Sequence, residues 1–225
     1  MLRVRVATVL LSATAATVLY GCAGPRLDAE SPPGASLAGN WKLNPAASDD
    51  PQKILAHLRA EAIKIINRNA ANAQARGAAP ATDAAATDDP AAHGPRRDPL
   101  QHSPMAHIVQ EIAARGDTLS VRQSAGEIVF DYGTSHRSFT PGARSVVSAE
   151  GGVGDQSSGW KGRQYLIVVK AQQGPEVTET YALSGDGQQL VDKIQIGSYE
   201  LPAVELNRIY IPSTASAPRQ LPTTD

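Results

Sequence analysis

Three charged side chains stand where the pattern of the chain asks for apolar ones. Val177, Tyr181 and Leu183 share a two-residue period with Glu179, Leu190, Ile194 and Ile196 share one with Asp192, and Val204, Leu206 and Tyr210 share one with Arg208. Alternate side chains of a strand point to the same face. If these apolar faces line one interior, two carboxylates and a guanidinium converge there from three successive strands. A buried charge without a partner is costly, so the three must pair with one another or meet a ligand. The pattern is equally that of a structural ion-pair cluster, or of strands in which a one-residue bulge turns Glu179 or Asp192 to solvent. A general acid–base pair is chemically open to two carboxylates, but no other residue selects that use.

The rest of the chain supplies no catalytic arrangement. The histidines are His57, His93, His102, His107 and His136, and none has a histidine or carboxylate neighbour at metal-ligand spacing. No Gly-x-Ser-x-Gly is present, and no glycine-rich loop leads from a strand into a helix to cradle phosphate. Gly151-Gly152-Val153-Gly154 comes nearest, but strand follows it, which makes it a flexible loop. The reading is therefore of a non-enzyme, with no metal and no cofactor. A net charge of −1 also excludes the basic footprint of a nucleic-acid binder.

The one cysteine, Cys22, closes a distinctive N-terminal segment. Arg3 and Arg5 form a basic head, and Val6 to Leu19 is an uncharged run too short to span about 30 Å of hydrocarbon as a helix. Leu19-Tyr20-Gly21-Cys22 resembles the bacterial lipobox. That resemblance implies removal of residues 1–21 as a signal peptide, acylation of Cys22, and a lipid-anchored mature protein. With Ala23 rather than Asp after the cysteine, it further implies the outer membrane, facing the periplasm. Losing Arg3 and Arg5 with the signal takes the net charge from −1 to −3.

The remaining chain must build the elements that carry Glu179, Asp192 and Arg208. Residues 22–38, with Pro25, Pro32 and Pro33, read as a flexible tether, 76–103 as a disordered Ala/Pro/Asp linker, and 213–225 as a disordered tail. Between them lies a single β-rich domain over 39–212. It opens on a short strand around Trp41. Ile54, Leu55, Leu58, Ala62, Ile65 and Ile66 then predict one amphipathic helix over about 51–68, with Ser48 or Asp49 as N-cap. Residues 104–115 fit either a helix capped by Ser103 or a hairpin turning at Ala114–Asp117. From Thr118, seven or so alternating stretches separated by Gly, Pro and Asp turns predict an antiparallel meander.

Gly39-Asn40-Trp41 on the first strand and Arg208 near the last resemble the lipocalin-like (calycin) folds. Gly159-Trp160-Lys161-Gly162, Val177–Tyr181 and Ser184–Gly187 are similar to a pattern in uncharacterised proteobacterial exported and lipoprotein families. The first resemblance implies a mainly β fold, closed into a barrel or strongly curved, in which Arg208 lies over Trp41 where first and last strands meet. The low aromatic content, 4%, leaves room for a cavity in such a fold, so the expectation is a binding module for a small apolar or amphipathic ligand. The alternative is an envelope scaffold or accessory protein, working through contacts with other envelope proteins.

Overall fold

The computed structural model describes residues 26–77 and 98–215. Cys22, the signal segment and most of the Ala/Pro/Asp stretch lie outside them. Strand β1 (Gly39–Leu43) leads to α1 (Pro51–Ala75) and α2 (Pro104–Ala114). The meander follows as β2 (Thr118–Gln123), β3 (Ile128–Asp131), β4 (His136–Phe139), β5 (Arg144–Ala149), β6 (Gly152–Lys161), β7 (Gln164–Ala171), β8 (Glu176–Leu183), β9 (Leu190–Gly197) and β10 (Val204–Pro212). The ten strands form one antiparallel sheet in the order β4-β3-β2-β1-β10-β9-β8-β7-β6-β5. The predicted antiparallel meander is present, and β1 and β10 are neighbours, with Trp41 opposite Pro212 and Leu43 opposite Tyr210.

The sheet is strongly curved and open between β4 and β5. Four strands separate β3 from β8, yet the Phe130 and Tyr181 rings stack at 4.2 Å and the Tyr132 and Tyr181 hydroxyls hydrogen-bond at 2.7 Å. Only a sheet curled back on itself brings those inner faces together. The interior then divides into two apolar clusters. One is aromatic and joins Trp41, Phe130, Tyr165, Tyr181 and Tyr210. The other joins Leu55, Leu58 and Ala62 of α1 to Met105, Val109 and Ile112 of α2, and both helices to Ile194, Ile196 and Leu206 of the sheet.

Both helices begin as their sequences dictate. The carboxylate of Asp50 accepts from Gln52 N at 2.9 Å, and the hydroxyl of Ser103 accepts from Ala106 N at 3.3 Å, each with a proline in the first turn. Asp50, rather than Ser48 or Asp49, is thus the cap of α1. Those two instead receive Ile209 N and Asn207 N, tying the β1–α1 loop to β10. The helix also runs past the expected residue 68 to Ala75. Its apolar stripe has ended by then, since Ile66 is already 55% exposed, and the extension is carried by Ala and Gln propensity alone. Residues 104–114 are helix.

Three further expectations are corrected. Residues 26–38 are no flexible tether: they strap across the sheet. Asp28 exchanges two backbone hydrogen bonds of 2.8 Å with Trp160, Gln123 holds Leu37 N and Ala35 O, Arg163 donates to Gly34 O, and Leu37 is fully buried. A leucine and an alanine at the right spacing outweigh the prolines. The linker likewise ends before residue 98, because Asp98–Ser103 forms turns that bury Leu100, with Asp98 paired to Arg59 at 2.7 Å. Gly152–Gly154, read as loop, opens β6 in pairing with β5.

The strap explains Gly159. A Cβ there would meet Asp28 O at 2.7 Å and Gly142 N at 2.9 Å. Gly159→Ala is expected to destabilise the fold by about 1–3 kcal/mol through this crowding, measured by urea unfolding. An unchanged midpoint would show that the strap and Gly142 yield to the methyl group without cost, and would overturn this account of Gly159.

Candidate functional site

A charged layer lies between the two apolar clusters. The pairing of β8 with β9 and of β9 with β10 is continuous, without a bulge, and sets Tyr181 opposite Asp192 and Asp192 opposite Arg208. Glu179, Asp192 and Arg208 all face inward and are buried. On each strand the residues on one side of this layer join the helices, through Val177, Ile194, Ile196 and Leu206. Those on the other side, Tyr181, Leu190 and Tyr210, join the aromatic cluster.

Glu179 is the centre of the layer. Its carboxylate accepts two hydrogen bonds from Arg115, at 3.0 and 3.2 Å, one from Arg137 at 2.7 Å and one from the Tyr181 hydroxyl at 2.8 Å. Burial alone would favour the neutral acid, but the two guanidiniums outweigh it and hold the carboxyl well below its ordinary range. The same partnership raises Arg115 and Arg137 in spite of their own burial.

Asp192 is in the opposite position. It is fully buried, neither carboxylate oxygen has a hydrogen-bond partner among the described residues, and Arg115 approaches no nearer than 3.7 Å. Burial first, and then repulsion by Glu179, push this carboxyl up to about 7, against the attraction of Arg115, Arg208 and Arg137. Two carboxylates on adjacent strands have thereby been driven apart: one held charged, the other held toward neutrality.

Arg208 serves a different part of the structure. Its guanidinium donates to Ile112 O at 2.6 Å, Arg115 O at 3.4 Å and Gly116 O at 3.2 Å, which are carbonyls at and just past the end of α2, and its Nε donates to Tyr210 Oη at 2.8 Å. A cation at a helix C-terminus is favoured by both the free carbonyls and the helix dipole. The expected Arg208–Trp41 stack does not form. Arg208 lies over Tyr210, 5.7 Å from its centroid. Tyr210 pairs with Leu43, so Trp41 lies further along β1, and its indole N–H donates to Leu37 O of the strap at 3.1 Å.

Two of the openings beside the sheet are bordered by α2 or the residues that begin it. A cleft of about 1020 Å³ lies among Ser103–Met105 and the β7–β8 and β9–β10 turns, with solvent-facing Gln195 and Glu205 in its wall, and it does not reach the charged layer. A second, of about 440 Å³, lies between α2 and the inner faces of β5 to β8. Its apolar wall is Ile108, Ile112, Val147, Val169 and Val177, and its floor is Arg115, Arg137 and Glu179. Its volume is that of a small-molecule site, and its lining is shared evenly between apolar side chains and polar or charged ones, the polar groups converging on the floor and the rim. We take it as the candidate site. At its rim, His107 of α2 faces Glu150 of the β5–β6 turn at 3.5 Å. His136 faces Asp131 at 3.8 Å, and neither pair is joined by a third metal-ligating group among the described residues.

Arg115, Arg137, Tyr132 and Tyr181 escaped the sequence reading as members of the cluster. Arg115 stands in the segment with two possible structures. Arg137 stands on a four-residue strand whose one buried residue is Phe139, so no alternation marked the face it belongs to.

No protein-family model matches the chain, and no curated protein matches it. Solved structures to which it is similar include lipid binding protein 8 of Caenorhabditis elegans, at 12% identity over 80% of this chain and 99% of that one, with a TM-score of 0.44. The brain fatty acid-binding protein of Drosophila melanogaster matches at 12% identity over 78% and 99%, with a TM-score of 0.42. The fatty acid transporter REP1-NXSQ matches at 10% identity over 80% and 98%, with a TM-score of 0.41.

The opposed carboxylates give a pH signature. For Asp192 the folded state holds its proton more tightly than the unfolded chain, whose carboxyl titrates near 3.8. Its contribution is therefore complete at pH below about 4 and is lost as pH rises through about 7. Glu179, depressed from 4.5, has the other sign: its contribution is present above pH 4.5 and is lost only on acidification. Unfolding free energy from urea titrations should thus fall between pH 5 and pH 8, by on the order of 1–3 kcal/mol. Asp192→Asn should flatten that decline. A decline of equal size in the variant would assign it elsewhere.

Proposed function

We propose that this chain is a non-catalytic binding module, which holds a small apolar or amphipathic ligand between α2 and the inner faces of β5 to β8. The observation that carries this reading is the cavity of about 440 Å³. A filled interior would leave no such space, yet Ile108, Val147, Val169 and Val177 are each only half-buried because they line it. Burying an apolar ligand against them contributes roughly 25 cal/mol per Å², and the charged floor fixes which end of an amphiphile faces inward. No nucleophile and base stand together on this floor: its carboxylate is held ionised by two arginines, which suits recognition and not proton transfer.

The module is further proposed to be a lipoprotein, anchored through acyl groups on Cys22 and facing the periplasm from the outer membrane. What supports this is the lipobox-like Leu19-Tyr20-Gly21-Cys22 after a basic head and a short apolar run. The scaffold reading finds support in one feature, the open edge strand β5, on which Val146 is 70% exposed. The cavity favours the ligand.

The neutral fluorophore 1-aminoanthracene should bind the purified domain saturably and one to one. Val177→Trp, which fills the cavity, should weaken binding by roughly ten-fold or more, equivalent to about 1.4 kcal/mol. Saturable uptake that the tryptophan leaves unchanged would move the site elsewhere, and no uptake at all would favour the scaffold. Separately, Cys22→Ser should abolish palmitate labelling and membrane partitioning in a bacterial host; unchanged fractionation would overturn the anchor.

A further inference from the structure

We infer that Glu179 is a built-in counter-carboxylate: it occupies the place that a ligand's own acid group would take between Arg115 and Arg137, so the cavity selects neutral amphiphiles over anionic ones. The inference rests on the binding reading above and adds the charge class of the ligand.

The geometry is that of a bound anion. Paired guanidiniums are the usual receptors of a carboxylate, through bidentate and charge-assisted hydrogen bonds. Here Arg115 grips both oxygens of Glu179 while Arg137 and Tyr181 add one hydrogen bond each, all between 2.7 and 3.2 Å. The anion so bound belongs to the protein. Its side chain is 5% exposed and that of Arg115 is 7% exposed, so a ligand cannot displace it without leaving a buried carboxylate unpaired.

The remaining charges point the same way. Five charged side chains line the cavity: Arg115 and Arg137 against Glu111, Glu150 and Glu179. Their sum is −1, and Asp192 lies just behind Arg115. An incoming carboxylate would therefore meet Glu111 and Glu150, exposed at the rim, on its way in, and at the floor an anion already in place between the two arginines. A neutral ligand is repelled by none of these. Arg137, 23% exposed, spends one terminal nitrogen on Glu179 and lays its guanidinium over Phe139 at 5.2 Å. Its other nitrogens have no protein hydrogen bond among the described residues, and they can donate to an ester, ketone or hydroxyl oxygen at the end of an apolar chain.

The test is a pair of ligands alike but for charge, methyl decanoate and decanoate, titrated at pH 8 into ¹⁵N-labelled wild type, Glu179→Gln and Glu179→Ala. Wild type should favour the ester by roughly ten-fold or more. In the variants decanoate should gain at least as much, and it should raise the melting temperature of Glu179→Ala, where its carboxylate can sit in the vacated place, without raising that of wild type. Equal binding of ester and acid by wild type would overturn the inference while leaving the binding reading intact. If neither ligand enters wild type, the binding reading fails, and the variants still decide. Decanoate taken up by folded Glu179→Gln or Glu179→Ala would uphold the counter-carboxylate, and its absence from both would end it. Should the glutamine variant not fold, the ester-to-acid preference of wild type and the rescue of Glu179→Ala carry the decision.

Discussion

The hold of two arginines on one buried glutamate is the constraint around which this interior is arranged. A carboxylate this deeply buried persists only because Arg115, Arg137 and Tyr181 all reach it, and each comes from a different part of the chain. Arg115 follows α2, Arg137 lies on β4 and Tyr181 on β8. Satisfying one ionised group therefore fixes the end of a helix, an edge strand and the middle of the sheet with respect to one another. Arg137 makes this contact from the far side of the open seam. The sheet is joined there through side chains, in place of backbone hydrogen bonds.

Around that layer the apolar residues sort themselves by position. Helix residues take the end of the sheet where Ile194, Ile196, Val204 and Leu206 offer aliphatic surface, and rings take the other. Arg208 belongs to both halves, since one guanidinium binds the carbonyls that finish α2 and the phenol of Tyr210. A structural arginine here and a carboxylate-gripping pair next to it are chemically alike. They differ in what their environment leaves them to bind: backbone carbonyls for Arg208, a carboxylate for Arg115 and Arg137.

Much of this was legible in the sequence, for physical reasons that also mark where it stopped. Strand parity placed Glu179, Asp192 and Arg208 on apolar faces because a two-residue period survives any amount of sheet curvature. It could not show that β3 and β8 touch, since curvature leaves no local trace, and so Tyr132 and Arg137 were missed. The N-terminal strap was hidden by its prolines. Two buried side chains, Leu37 and Ala35, and a bridge at Asp28 order it, too few to make a pattern. The stack of Arg208 on Trp41 failed on register, because Trp41 pairs with Pro212, beyond the guanidinium's position on β10.

The strand order has a consequence for how the chain reaches this state. Strands β1 to β4 form one meander and β5 to β10 another, and among the described residues the only strand pairing between them is that of β1 with β10. That seam sets Trp41 against Pro212 over just three residue pairs, so it joins the beginning of the domain to its end. Closing so long a loop costs conformational entropy before any reward arrives, and topologies dominated by such distant pairings fold slowly. Until residues 204–212 exist, the two meanders have no common sheet, and Arg208 is not there to finish α2. A nascent chain without β10 is thus unable to commit to its fold, since this strand is the one that turns two half-sheets into a single container.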